Sequence, residues 1–197
     1  GPIFIDESAK IDIGALIQGP TYIGKNSIVN PGAKLRGNIS IGPVCKIGGE
    51  LEDVIIQGYT NKQHDGYLGH SFLGEWINLG ANTNNSDLKN NYSNVRIKIS
   101  KDLEINTLQQ FLGVCIGDYT RTGISTMLNS GTFIGLGANV FGSGFQPKYI
   151  ESFQWGEEEK TDFDKFIQTC IKMKERREKS LSKIEIKLLK YVYESNE

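Results

Sequence analysis

The sequence predicts an all-β solenoid, a parallel β-helix of triangular cross-section, followed by α-helices. Three observations carry this expectation. Ile5, Ile11, Ile17, Ile23, Val29, Leu35, Ile41 and Ile47 form an unbroken aliphatic series with a period of six. A small residue stands two positions before most of them: Ala9, Ala15, Thr21, Ser27, Ala33 and Cys45. The same rule returns after an interruption as Ile116, Thr122, Leu128, Ile134 and Val140, preceded by Thr120, Thr126, Thr132 and Ala138. An α-helix would smear a six-residue period around its whole surface, and hairpin strands would show a period of two. One short strand plus one corner per hexad, three hexads to a coil, satisfies the pattern. The aliphatic fills the prism, and the small residue lets the backbone turn without a clash.

Taken in order, residues 1–51 obey the rule, with Gly14, Gly24, Gly42 and Gly48 adding turn chemistry. From Glu52 to about Gln63 the spacing lapses, although Val54-Ile55-Ile56 is apolar enough for a strand; it resumes at Leu68, Leu73 and Leu79. Residues 82–110 are rich in Asn and fit no hexad. A loop of that length inside a solenoid is uncommon unless it covers a site. The expected organisation is a prism over residues 1–145 with a loop insertion at about 82–110, then a capping segment and helices over 146–197. Phe153 and Trp155 are bulky enough to cover the open end of the last coil. Phe163, Phe166, Ile167, Cys170 and Ile171 recur at helical spacing, with Thr161 as the expected cap. Ser182 and Glu185 occupy capping-box positions for a second helix from about Lys183 to Glu194, with Ile184, Leu188, Leu189 and Val192 as its apolar stripe. The alternating charges of Lys174 to Lys179 read as a solvated helix end and not as a binding patch.

Composition narrows the function classes. The 22 Lys+Arg against 23 Asp+Glu leave a net charge of −1, with basic residues scattered except near the C-terminus, so no nucleic-acid surface is expected. Cys45, Cys115 and Cys170 are odd in number and lack metal-ligand spacing, which argues against a disulfide framework and a zinc site. A reducing, cytoplasmic setting is expected. No apolar run approaches the ~20 residues of a membrane-spanning helix, so no membrane partner is expected either.

The chemistry concentrates in Lys62-Gln63-His64-Asp65-Gly66-Tyr67-Leu68-Gly69-His70, continuing through Leu73-Gly74 to Asn78-Leu79-Gly80-Ala81; this stretch holds both histidines of the protein. A neutral imidazole near pH 7 is well matched to accept a proton from an attacking amine. Standing alone, His64 would read as a solvated corner residue.

The spacing of this stretch resembles the acetyltransferase domain of the bacterial bifunctional glucosamine-1-phosphate N-acetyltransferase/N-acetylglucosamine-1-phosphate uridylyltransferases. His64-x-x-Tyr67-Leu68-Gly69, Leu73-Gly74 after an irregular five-residue step, and Asn78-Leu79-Gly80-Ala81 after six follow that family's motif. The resemblance covers roughly residues 1–145. The wording of Gln57–His64, Asn84–Asn90 and Asn139–Phe145 is similar to a divergent, bifunctional-like branch of sugar-phosphate nucleotidylyltransferases. The resemblance implies a left-handed β-helix, a homotrimer, and acetyl transfer from acetyl-CoA to the amine of an amino sugar 1-phosphate. It also implies that the chain is the C-terminal part of a bifunctional enzyme whose nucleotide-binding signature is absent from these residues. By the same resemblance His64 is the general base, Arg36, Tyr67, Asn78, Asn91 and Tyr92 contact the sugar phosphate, and Ala81 and Gly142 lie where the backbone meets the coenzyme. His70, with no matching role, is expected to be structural or a neighbour of the substrate. Glu52-Asp53 lies where the family has a second phosphate-binding lysine, and like charge there would repel a sugar phosphate. That departure supports an alternative: a non-catalytic trimerisation or regulatory prism for a nucleotidylyltransferase.

Overall fold

In the computed structural model, which describes residues 1–157 and 159–195, the hexads wind into a parallel β-solenoid. The first face stacks Ile3–Ile5, Thr21–Ile23, Ile39–Ile41, the later part of Glu50–Gly58, the later part of Tyr67–Glu75, Val114–Ile116, Thr132–Ile134 and Tyr149–Ile150 as eight parallel rungs. The second face runs Lys10–Ile11, Ile28–Val29, Lys46–Ile47 and Asn61–Lys62; Asn78 then bridges Asn61 to Arg121–Thr122, which pairs with Asn139–Val140. Leu16–Ile17, Lys34–Leu35 and the first residues of Glu50–Gly58 and Tyr67–Glu75 begin the third face.

From Ile23 onward the predicted aliphatic series lines the prism, whereas Ile5 and Ile11 in the first coil are 40% and 37% exposed. Ile23, Val29, Ile41, Ile47, Leu73 and Ile134 are completely buried, each worth about 1.5–3 kcal/mol against exposure. The small residues do more than make room. The hydroxyl of Ser27 donates to Gly42 O at 2.8 Å, that of Thr120 to Gly135 O at 2.8 Å and that of Thr132 to Asn129 O at 2.8 Å, so buried corner carbonyls are satisfied from inside.

The lapse after Glu52 has a geometric cause. Thr21 pairs with Ile39 and Ile39 with Val54, steps of 18 and then 15 residues: the pairing of Lys34 with Glu50 shows the corner before Glu50 to be two residues short already, and Glu50–Gly58 saves one more by rounding its next corner continuously through Asp53, whose φ is 52°. Lys62 then takes the interior slot six residues after Ile56 and pairs with Ile47. The solenoid pattern also reaches further than the Asn-rich composition suggests: Asn84–Asn85 is a strand paired with Met127–Leu128. The carboxamides of Asn84 and Asn85 accept from the backbone N–H of Tyr67 (2.8 Å) and Gly69 (2.9 Å), replacing a backbone ladder at that rung. The insertion beyond them carries one antiparallel hairpin, Arg96–Lys98 with Glu104–Asn106.

Helices α1 (Phe163–Glu175) and α2 (Lys183–Glu194) cover a column of aromatic corner residues. Trp76 stacks on Tyr59 at 4.2 Å and 5°, Tyr119 meets Phe166 edge-on, and the fully buried Phe153 packs against Phe166 and Tyr193. Phe153 is therefore buried under the helices, whereas Trp155 is 45% exposed against the edge of Phe141 and covers little. Asp162, not Thr161, caps α1 by accepting from Lys165 N, since its carboxylate reaches the third helical amide. The capping box at Ser182 and Glu185 is formed.

Candidate functional site

The three Leu-Gly pairs of the central motif share one physical reason. Leu68, Leu73 and Leu79 are buried in the prism, while a Cβ on the following glycine would meet another group: the Tyr67 hydroxyl at 2.2 Å for Gly69, Asp118 Oδ1 at 2.0 Å for Gly74, and Gly123 O at 2.3 Å for Gly80. The motif thus arranges polar groups over backbone that lacks side chains.

The largest such arrangement lies where the third face turns into the first. There the Tyr67 hydroxyl passes over Gly69 and donates to Asp87 Oδ2 at 2.7 Å. His70 Nδ1 lies 2.7 Å from the same oxygen, and its Nε2 is 3.6 Å from Asp53 Oδ2. Phe111, returning from the insertion, stacks on the imidazole at 5.0 Å. Burial, then the bond to Asp87, pushes the Tyr67 phenol well above its ordinary range. On the flank, Arg36 Nη1 pairs with Glu50 (2.9 Å) and Glu52 (3.1 Å). Four carboxylates, those of Glu50, Glu52, Asp53 and Asp87, thus surround this guanidinium and His70.

His64 occupies a different corner, between the second and third faces. Its ring is exposed, and Nε2 lies 3.1 Å from Gln63 Nε2, so a neutral tautomer with Nε2 as acceptor fits this contact. Its carbonyl is held from within: Lys62, 1% exposed, donates from Nζ to His64 O at 2.6 Å and to Gly48 O at 3.1 Å. Burial lowers the Lys62 pKa to about 8. Ala81 follows on the next rung of this corner, where Asn82 N donates to Asp65 O and Ser125 N to Ala81 O. Gly142, with φ of 137°, lies further along the chain in the turn after Asn139–Val140.

The other residues of the predicted set lie elsewhere on the chain. Asn78 is on the second face, where its Oδ1 accepts from Asn61 Nδ2 at 3.3 Å. Asn91 and Tyr92 are exposed in the insertion, bonded to Ser93 and, through the Tyr92 carbonyl, to Gln110. Within one chain, then, Arg36 lies on the flank of the Tyr67 hydroxyl, and His64 and Ala81 share a corner three residues before Tyr67. Lys62, Asp87 and Phe111 escaped the sequence reading. Only Lys62 left a signal, as a charge on the six-residue period; Asp87 and Phe111 reach the site through the fold of the insertion.

Burial pushes the thiols of Cys45 and Cys170 up to about 11 and about 12, which makes both poor nucleophiles. Among the described residues no group of His, Cys, Asp and Glu is arranged to hold a metal ion, and no helix is long and apolar enough to cross a membrane.

No family model matches the chain. It is 31% identical over 157 residues to the bifunctional protein GlmU of Acaryochloris marina, covering 71% of this chain and 30% of that protein. It is 34% identical over 144 residues to a bifunctional sugar-1-phosphate nucleotidylyltransferase/acetyltransferase of Sulfurisphaera tokodaii, covering 72% and 35%. The chain spans about a third of the length of these curated relatives. Among solved structures, a Bacillus cereus protein described as a candidate acetyltransferase superposes with a TM-score of 0.51 at 17% identity, covering 98% of this chain and 92% of that one. AntD, an N-acyltransferase of the same organism solved with dTDP and 3-hydroxybutyryl-CoA, also gives 0.51, at 13% identity over 87% and 89%. At such identities the structural likeness is one of fold. Sequence and fold together place the chain in the hexapeptide-repeat β-helix family of the GlmU-like bifunctional sugar-1-phosphate nucleotidylyltransferase/acetyltransferases.

Proposed function

We propose that the chain transfers an acetyl group from acetyl-CoA to the amine of an amino sugar 1-phosphate, with His64 as general base. The observation that carries this reading is the corner of His64: an exposed imidazole on a backbone pinned by the buried Lys62, with Ala81 on the adjoining rung. The base takes a proton from the amine as the nitrogen attacks the thioester carbonyl, and coenzyme A leaves as the thiol. Asn78 and Tyr67 position the sugar, Asn91 and Tyr92 approach it from the insertion, and the backbone at Ala81 and Gly142 borders the coenzyme. By the same family likeness the active assembly is a homotrimer.

A base acts in the transition state, so His64→Ala should lower kcat on the order of 10²-fold or more while coenzyme affinity is nearly unchanged. His70→Ala is the internal comparison. Wild-type turnover in His64→Ala, or loss confined to His70→Ala, would move the role to the imidazole that Asp87 orients.

A second reading has its own support. Glu50 and Glu52 compete with a sugar phosphate for Arg36, the cation expected to hold it. On that reading the prism is a non-catalytic trimerisation or regulatory module. Calorimetric titration with acetyl-CoA separates the two, since a scaffold shows no saturable heat.

A further inference from the structure

The geometry points to a binding site for a phosphorylated small molecule, of nucleotide or sugar-phosphate size, in the cleft between α1 and the second face of the prism. It is argued apart from the acyl-transfer reading, with which it shares one lining residue, Asn78.

The cleft has a volume of about 480 Å³, which is within the range of small-ligand pockets and far larger than a lone phosphate needs. Lys46 and Arg121 reach it from the prism, Lys172 from α1, and Arg176 and Arg177 from the turn that ends α1. No carboxylate lines it among the described residues, nor is any of the five cations ion-paired there. This concentration is unusual in a chain of net charge −1. Five uncompensated positive charges around one concavity raise the local concentration of anions and hold them by charge-assisted hydrogen bonds.

The partners those cations do have are neutral. Arg121 rests a guanidinium N–H on the sulfur of Met173, and burial lowers its pKa, so its charge is desolvated without an anion to compensate it. Arg177 Nη2 donates to Asn61 Oδ1 at 2.9 Å. The Asn61, Gln63 and Asn78 carboxamides add neutral donors for phosphate or sugar oxygens. The floor is built by Tyr59 and Trp76, stacked on each other; Trp76 is also stacked by Tyr119, so its faces are taken and it supplies shape. Lys174, by contrast, is 6% exposed and paired with Glu185 across the helix pair, so only part of the terminal charge run of α1 is solvated. Three of the five cations lie beyond residue 145, outside the stretch that follows the acetyltransferase motif.

The two tryptophans make the test direct. In Trp155→Phe, Trp76 is the only tryptophan and reports on the cleft. This protein is titrated with inorganic pyrophosphate, glucosamine 1-phosphate and ADP, each at low and moderate salt. The expected result is a saturable change in Trp76 emission, and the tightest of the three identifies the ligand source. Adding Arg121→Gln with Arg177→Gln should weaken binding about tenfold or more, while Lys187→Gln, a cation removed from exposed α2, leaves it unchanged. Circular dichroism melting verifies that the variants are folded; if the double variant is not, Lys172→Gln with Arg176→Gln, both exposed, replaces it. Absence of saturation with all three probes overturns the proposal. So does equal weakening by Lys187→Gln, which would reduce the effect to net charge.

Discussion

Lys62 offers the sharpest test of how the prism is built. Its position on the six-residue period belongs to an aliphatic, and its ammonium is buried with two carbonyl acceptors and no carboxylate bonded to it. Burial takes its pKa from the ordinary 10.5 to about 8. That drop corresponds to roughly 3 kcal/mol of cost for keeping the charged form in the folded state. The folded pKa is the lower one, so between about 8 and 10.5 the unfolded chain binds more protons, and stability rises with pH there. The contribution is complete above the unfolded value and is lost as pH falls through about 8. About 2 kcal/mol of it should be regained between pH 7 and pH 9.5. Lys62→Met keeps the length and apolar stem but cannot titrate. Urea denaturation of both proteins at the two pH values isolates this residue, because every other titrating group is common to both. The stability difference should shift toward wild type by about 2 kcal/mol on going to pH 9.5. Parallel pH dependence in the two proteins would refute the desolvated ammonium. Since the same Nζ holds His64 O, the variant should also loosen the corner that carries the proposed base.

Other consequences are simpler to measure. Trp76→Ala removes the aromatic against which the helices dock and should cost about 3–5 kcal/mol in chemical denaturation. Gly69→Ala places a Cβ 2.2 Å from the Tyr67 hydroxyl and 2.4 Å from Asp87 Oδ2; displacement of that bond should lower the melting temperature by an amount equivalent to about 1–3 kcal/mol. The bond from Lys174 holds the Glu185 carboxyl below its usual range, so this pair stabilises the fold above the ordinary carboxylate pKa and loses effect as pH falls through the lowered one. Glu185→Gln should therefore flatten the acid limb of a far-ultraviolet circular dichroism titration; an unchanged limb would show that the pair contributes nothing.

The prism was legible because its physics is local and repeated. A side chain that must point inward every sixth residue leaves a period that no other regular structure shares, and Ile5 to Ile47 display it without interruption. The capping box at Ser182 was legible for the same reason, being a contact across three residues. What only the tertiary structure decided are the long-range meetings. Asp87 lies seventeen residues from His70 and twenty from Tyr67, yet one oxygen serves both because their coils stack. Arg36 is engaged by Glu50 and Glu52 because a strand turned its corner early and brought those carboxylates beside it. Arg177 reaches Asn61 across 116 residues, turning a charge run that reads as solvated into one wall of a cationic cleft. A repeating pattern records which way each side chain faces, whereas the partner it meets depends on how many residues each coil spends on its corners and on where the helices return.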